Sequence, residues 1–148
     1  EVFDEDLMAI VGDEIRVEGN EKFKLEYLHT ISGSGTVPSA TVRLHIEGAE
    51  SVQQSAWGDG PVDASYEAIN LAAGQRPTVE EYVIQAITGG SQAMGEVTVR
   101  VNDGELKTTG RGVSTDIIEA SARAYLNAVN RYLNQDEPTP KRGKARQP

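Results

Sequence analysis

Two Gly-x-Gly segments, each followed by a helical pattern, are the parts of this sequence best suited to binding a ligand. Gly58-Asp59-Gly60 precedes a predicted helix at Pro61, and Gly110-Arg111-Gly112 precedes a second predicted helix. The first turn of a helix leaves backbone N–H groups unpaired, and the helix dipole favours an anion there. Glycine lets a ligand approach the backbone closely. Two such helix starts, facing each other across a cleft, would suit a small carboxylate.

Apolar side chains would complete this predicted cleft. A small apolar wall is formed by Val62, Val79, Tyr82, Ala86 and Ile117. The glycines also fit a second interpretation, in which each pair is a tight strand-to-helix turn without a ligand. A nucleotide-binding fold is excluded, because Pro61 and Val62 stand where a Gly-x-Gly-x-x-Gly motif would continue and the preceding strand belongs to a hairpin.

Patterns typical of catalysis are missing. The sequence has no cysteine, which excludes thiolate metal sites, and its two histidines, His29 and His45, lie on separate predicted strands. The pair Glu80-Glu81 fits a solvated strand edge, and no nucleophile, base and orienting group converge. We therefore expect no catalytic residue, no metal site and no cofactor in this chain.

The charge of the chain limits its partners. The net charge is −9 and the pI is near 4.7, which predicts no nucleic-acid partner. From Pro138 onward the chain has basic residues but no acid and no aliphatic side chain larger than Ala, so residues 135–148 are predicted to be a disordered basic tail. No apolar run approaches the roughly 20 residues of a membrane helix, and no secretion signal is present, so we expect a cytoplasmic protein with no membrane partner.

Hydrophobic periodicity divides most of the chain into two copies of strand–strand–strand–helix. Alternation with period two predicts strands over residues 22–31, 40–47, 51–57, 79–88, 97–101 and 105–109. Helical spacing predicts helices over residues 61–74 and 115–133, with Pro61 at the first position, Asp59 or Gly60 as the cap and an Asp116–Glu119 capping box. In the first strand, Phe23, Leu25, Tyr27 and Ile31 are predicted to share one face.

The two copies share specific residues, which indicates a duplication. We pair Tyr27 with Tyr82, Thr41–Leu44 with Thr98–Val101, the first Gly-x-Gly with the second, and Asp63 with Asp116. The predicted fold is α+β, with two pseudo-symmetric βββα repeats, over about residues 22–76 and 77–134, each a three-stranded antiparallel sheet with one helix. Residues 1–21 are predicted to be a short linker helix from a missing catalytic region, since the chain begins at Glu1 without a Met.

Two longer motifs resemble the C-terminal regulatory domain of 2-isopropylmalate synthases. The first runs from Gly58-Asp-Gly-Pro-Val-Asp-Ala64 into Tyr66-Glu-Ala-Ile-Asn70, and the second from Gly110-Arg-Gly-Val-Ser-Thr-Asp116 to Ala124, with Asn127-Ala-Val-Asn130 after it. The turn Ser32-Gly-Ser-Gly35 fits as well, so that the resemblance covers about Lys22 to Leu133.

This resemblance implies a regulatory function. Enzymes of that family condense acetyl-CoA with 2-oxoisovalerate on a (β/α)8 barrel that binds a divalent metal, and their C-terminal domain forms a homodimer and binds L-leucine as feedback inhibitor. A chain of 148 residues cannot contain such a barrel, so the resemblance implies a fragment without enzymatic activity. The family's effector site falls on Gly58, Asp59, Gly60, Val62, Val79, Tyr82, Ala86, Ala93 and Ile117.

Two alternatives remain open at the level of sequence. The chain fits the isoleucine-sensing domain of a citramalate synthase, because the position of one methyl group in an apolar pocket cannot be read from sequence. It also fits a dimerisation module without a ligand, in which the glycines form turns and the apolar residues form an interface.

Overall fold

The computed structural model describes residues 21–89 and 92–136 of the chain. Apart from Glu21, the predicted linker helix lies outside the described residues, and so does the predicted tail beyond Asp136. The elements are, in order, β1 (Phe23–Ile31), β2 (Ser39–Ile46), β3 (Val52–Trp57), α1 (Pro61–Ala73), β4 (Thr78–Gly89), β5 (Gln92–Asn102), β6 (Lys107–Ser114) and α2 (Ile117–Asp136). The predicted α+β fold with two βββα repeats is confirmed.

Each repeat contributes one antiparallel sheet with a simple meander. The strand orders are β1-β2-β3 and β4-β5-β6. The predicted Asn102-Asp103-Gly104 hairpin joins β5 to β6, with Gly104 at φ 110° and the Asp103 N–H donating to the Leu106 carbonyl at 3.0 Å. The Asp103 carboxylate also accepts the N–H of Leu106 at 2.8 Å, so the turn satisfies its own backbone donors.

Both repeats carry the same irregularity in their first strand. The register of β1 with β2 shifts between Leu25 and Tyr27, and that of β4 with β5 shifts between Val79 and Glu81. Leu25 pairs with Leu44 and Val79 pairs with Val101, which are the last residues of the two matching Thr-Val-Arg motifs. One extra residue at the same place in both strands supports the duplication inferred from the sequence.

The irregularity overturns the predicted face of β1 and the pairing of two tyrosines. Beyond the extra residue the alternation inverts, so Leu28 takes the core side while Tyr27 is exposed. Tyr27 pairs with Arg43, whereas Tyr82 pairs with Val99, the counterpart of Val42. The counterpart of Tyr82 is therefore Leu28, and the predicted match of Tyr27 with Tyr82 was wrong.

The two helices join the repeats. Helix α1 packs on β2 and β3, helix α2 packs on β5 and β6, and the helices contact each other. At their contact the rings of Tyr66 and Tyr125 stack with centroids 4.0 Å apart. Helix α2 is buried around most of its circumference because it also contacts β1. No helix in residues 21–89 and 92–136 has the length and apolar composition needed to cross a membrane.

One asparagine attaches β1 to α2. The side chain of Asn130 accepts the Phe23 N–H at 3.0 Å and donates to the Phe23 carbonyl at 2.9 Å, and both residues are buried. This pair of bonds satisfies the backbone of a strand end that would otherwise be buried without partners. Strand β4, in contrast, makes at most marginal contact with either helix.

Candidate functional site

The first Gly-x-Gly segment connects β3 to helix α1 as predicted. The Gly58 N–H donates to the Pro38 carbonyl at 3.1 Å, and the chain then reaches Gly60, the N-cap of α1. Pro61 occupies the first helical turn, and no side chain caps the helix. The first-turn N–H groups of α1 are therefore left without the side-chain acceptor that most helix starts have.

The two glycines of this segment have different roles. Gly58 is buried, and a Cβ there would lie 2.7 Å from the Ala64 nitrogen and 2.5 Å from the Asp63 carboxylate. Glycine at position 58 thus permits close packing of the strand end on the helix. Gly60 has an extended φ of −156°, which any residue adopts, and no atom lies within 4 Å of a Cβ built there. Gly60 therefore leaves open space in front of the helix start.

Acidic side chains flank this open space. The Asp63 carboxylate accepts the Asp59 N–H at 2.8 Å, which fixes the bend before the helix. Asp59 and Asp63 are both exposed, and with Trp57 and Gly58 they line an open cavity of about 490 Å³. A ligand here would meet backbone donors at the helix start and carboxylates beside it, a combination suited to a group with both an anionic and a cationic end.

The second Gly-x-Gly segment does not open a helix. Gly110 and Gly112 lie inside β6, and a Cβ on them would collide with the carbonyl oxygens of Ala124 and Ala120. These glycines therefore let β6 lie directly on the backbone of α2. Arg111, between them, pairs with the carboxylate of Glu96. The prediction of two equivalent glycine cradles, based on spacing alone, was wrong.

The start of α2 is occupied by the protein itself. The Asp116 carboxylate accepts the Ile118 N–H at 2.9 Å and so caps the helix. The predicted capping box is only half formed, because the Asp116 N–H donates to Ser114 Oγ at 3.0 Å while Glu119 pairs with Arg123. Counted by strand register and helix start, Asp116 is the counterpart of Gly60, and not of Asp63 as predicted.

The remaining predicted site residues share one face of the second sheet. On β4, Val79 pairs with Val101, Tyr82 with Val99, and Ala86 with Gly95. Residues that pair directly across two strands point to the same side, and the valines of β5 are buried on the side of α2. The same alternation places Ala93 on this side, and Ile117 packs over Gly95 so closely that no Cβ would fit.

A buried serine connects β4 to both helices. The Tyr66 hydroxyl donates to the Ser121 carbonyl at 3.1 Å, and the hydroxyls of Tyr82 and Ser121 lie 2.6 Å apart. Burial, followed by the nearby Tyr82 and Tyr125, raises the pKa of the Tyr66 hydroxyl. Val62 lies one turn before Tyr66 on α1, so this contact is the route by which the two parts of the predicted site are joined. The sequence analysis missed Ser121, although a serine on the apolar stripe of a helix is a signal of a specific hydrogen bond.

The structure contains a cavity at the position related to the predicted site by the duplication. It measures about 270 Å³ and lies between β1 and the start of α2. Its lining includes Leu25, Leu28, Asp116 and Ile118, whose counterparts are Val79, Tyr82, Gly60 and Val62. The predicted effector residues are thus the second-copy version of a cavity that the fold already forms once.

Metal chemistry has no evident centre in this part of the chain. Within the described ranges, 21–89 and 92–136, no three side chains of His, Asp or Glu cluster closely enough to hold a metal ion. His29 stacks beside Tyr27 at 6.3 Å, and His45 faces Glu26 at 3.8 Å.

Comparisons with known proteins point to one family. A family model described as the LeuA allosteric (dimerisation) domain matches residues 1–133. A protein of Carboxydothermus hydrogenoformans named 2-isopropylmalate synthase is 52% identical over 134 residues, which are 90% of this chain and 26% of that protein. Proteins of the same name from Heliobacterium modesticaldum and Thermus thermophilus are 47% and 48% identical, over 98% and 88% of this chain and 28% and 39% of their own lengths. The chain spans about a quarter to two fifths of these relatives.

Proposed function

The chain belongs to the family of the LeuA allosteric (dimerisation) domain, and on this premise we propose that it senses L-leucine for a 2-isopropylmalate synthase. The catalytic condensation would take place in a part of the enzyme that this chain does not span. Leucine would bind between the start of α1 and the face of β4 formed by Val79, Tyr82 and Ala86. The homodimer implied by a dimerisation domain would be the form that senses it.

The uncapped start of α1 is the observation that carries this proposal. Its first-turn N–H groups have no side-chain acceptor, and Gly60 leaves the space before them open. These donors and the helix dipole would hold the leucine carboxylate. The exposed carboxylate of Asp59 lies beside them and would accept the ammonium group.

The apolar residues of β4 match the remaining part of the ligand. Val79 and Tyr82 are each 38% exposed, and Ala86 is exposed as well, so they offer free apolar surface on one face of the sheet. Ile117, packed on Gly95, ends this surface at the start of α2. An isobutyl group placed there would be removed from water on several sides, which favours binding by about 0.8 kcal/mol per buried methylene.

Inhibition requires that leucine bind one state of the enzyme more tightly than another. A coupling free energy of about 1–3 kcal/mol is typical of allosteric proteins and would suffice. The hydrogen bonds of Tyr82 and Tyr66 to Ser121 connect the ligand face of β4 with both helices. A shift of Tyr82 on binding would therefore reach α2 directly.

Two other functions make different predictions. An isoleucine sensor of the citramalate synthase type would use the same helix start with a differently shaped apolar wall. A dimerisation module without a ligand would leave the start of α1 filled only by water. Isothermal titration of the purified chain with leucine, isoleucine and valine separates the three, and the proposal fails if a folded dimer prefers isoleucine or binds none of them.

The substitution Gly60→Asp tests the location of the site. Its counterpart Asp116 already caps α2, so the fold accepts aspartate at this position, and Asp is a better helix cap than most residues. The new carboxylate would occupy the N–H groups meant for leucine and repel its carboxylate. We expect leucine affinity to fall at least about 100-fold, the scale of a lost charge-assisted bond plus repulsion.

The matched control is Asp116→Gly at the other helix start. It changes the charge by one unit in the opposite sense and removes the cap of α2, but it leaves the start of α1 untouched. We expect leucine affinity to stay within a factor of about three while the helix loses roughly 1 kcal/mol of capping free energy. Equal effects of the two substitutions on leucine binding would contradict the proposed location.

A further inference from the structure

The helix-side face of β4 is an uncharged apolar surface that the single chain does not cover. We define this β4 face as Val79, Tyr82, Ile84 and Ala86, whose partners on β5 all point towards α2. Of the ten exposed large hydrophobic side chains in the described residues, four lie on β4, and three of these belong to this face. Ile84 is 49% exposed even though its partner Val97 is fully buried. Contiguous apolar surface of this kind marks an interaction site.

The first repeat shows how the same surface behaves when it is covered. The counterparts of the β4 face on β1 include Leu25 and Leu28, which are partly buried beneath the start of α2. Helix α1 ends at Gly74, so it has no residue that could reach β4 as Asn130 of α2 reaches β1. The chain has therefore no helix left to cover β4, and the cover must come from another molecule.

The charge of the chain favours a second copy that docks through this face. A chain with a net charge of −9 repels its own copy, so two copies need a contact region free of acids. The acids of β4 lie elsewhere, since Glu81 is directed to Arg100 and Glu80 to Lys107. The family is named for dimerisation, and a twofold axis would place the β4 face against its own copy.

We infer that the β4 face is the surface through which two copies of this chain pair, and that the partner thereby closes the proposed effector site. Val79, Tyr82 and Ala86 belong both to this face and to the proposed leucine wall, so ligand and partner cover the same strand. Effector binding and dimerisation are then thermodynamically linked, and leucine tightens the dimer. This second part rests on the proposed function, whereas the position of the interface does not.

Two adjacent residues of β4 provide the test. Ile84 and Val83 are 49% and 48% exposed, and they lie on opposite faces of the same strand. In the full chain, Ile84→Glu should raise the dimer dissociation constant at least about 100-fold in sedimentation velocity, because a carboxylate would be buried without a partner. Val83→Glu should change it by less than about threefold. Equal effects of the two variants, or dissociation only with Trp57→Glu on the exposed end of β3, would overturn the inferred interface.

Single cysteines give a measurement that does not depend on the folding of a charged variant. The chain has no cysteine, so Ile84→Cys and Val83→Cys each introduce one thiol. In the dimer, the thiol at position 84 should react with a water-soluble maleimide at least about tenfold more slowly than the thiol at position 83. Equal reactivity at concentrations where the chain is dimeric would contradict the interface.

Titration with leucine separates the two proposals. If leucine binds the parent chain and its affinity falls at least about tenfold in monomeric Ile84→Glu, the partner completes the site. If leucine binds both with equal affinity, the linkage is wrong while the sensor function stands. If leucine does not bind the parent chain, the proposed function fails, and the result with the Ile84 and Val83 variants still decides the interface.

Discussion

Strands β1 and β4 began as copies of one strand and now have opposite surroundings. They share the position of the extra residue and the pairing with a Thr-Val-Arg motif. Yet Phe23 at the start of β1 is buried and held by Asn130, whereas nearly the whole of β4 is exposed. The counterpart of Phe23 is Pro77, which has no N–H to donate. The counterpart of Asn130 is Gly74, where α1 ends.

The length of one helix explains this difference. Helix α2 has 20 residues and α1 has 13, so only α2 continues far enough to contact the first strand of the other repeat. Gly74, at φ 70°, adopts the left-handed conformation that ends many helices. A duplicated unit has thus kept its sheets while one helix stopped early, which closed one edge of the molecule and left the other edge for ligand and partner.

The closest contact in the molecule separates the repeats most strongly. Gly110→Ala places a methyl group against the Ala124 carbonyl, where helix and strand backbones touch, and we expect a loss of about 3–4 kcal/mol in unfolding free energy. Gly60→Ala, at an open position of the first repeat, should cost only about 1 kcal/mol, as a poorer helix cap. Urea denaturation followed by circular dichroism measures both. Similar losses would show that the second repeat is no more tightly packed than the first.

Removal of the asparagine clamp should make β1 behave like β4. Asn130→Ala leaves the buried Phe23 N–H and carbonyl without partners, which costs about 2–3 kcal/mol. Amide hydrogen exchange should accelerate in β1 and stay unchanged in β4, because β4 never contacts this side chain. Asn127→Ala, one turn earlier and bound to the Arg111 carbonyl, is the control that leaves β1 protected. Unchanged exchange in β1 would show that apolar packing alone holds the strand.

The smallest effect concerns the helix contact that both repeats share. Burial raises the pKa of Tyr125 to about 12, and its hydroxyl donates to Asn70 at 2.6 Å. The unfolded chain loses this proton near pH 10, so the stabilisation is complete below pH 10 and is lost as the pH rises towards 12. We expect about 1 kcal/mol of destabilisation at pH 11 from this group. Thermal unfolding from pH 9 to 11 should fall less steeply for Tyr125→Phe, and equal slopes would contradict the assignment.

Local patterns were sufficient for most elements of the fold. Alternation in Thr41–Leu44 and Thr98–Val101 predicted the central strands, because one face of each sheet is buried. Pro61 and Gly74 predicted both ends of α1, since each acts through its own backbone. The end of β6 was predicted too early, because Gly110 and Gly112 looked like a loop. They are glycines for a tertiary reason, the contact with α2, which no local pattern contains.

The sequence by itself determined that this chain is two βββα units, where its helices begin and which family it belongs to, since these depend on periodicity, turn residues and motifs. Only the tertiary structure decided that the two helix starts differ. Asp116 caps one through its side chain, while the other stays open behind Gly60. It also decided that β1 is covered and β4 is not, because coverage depends on how far a helix reaches across the fold, and that distance is not encoded at the strand itself.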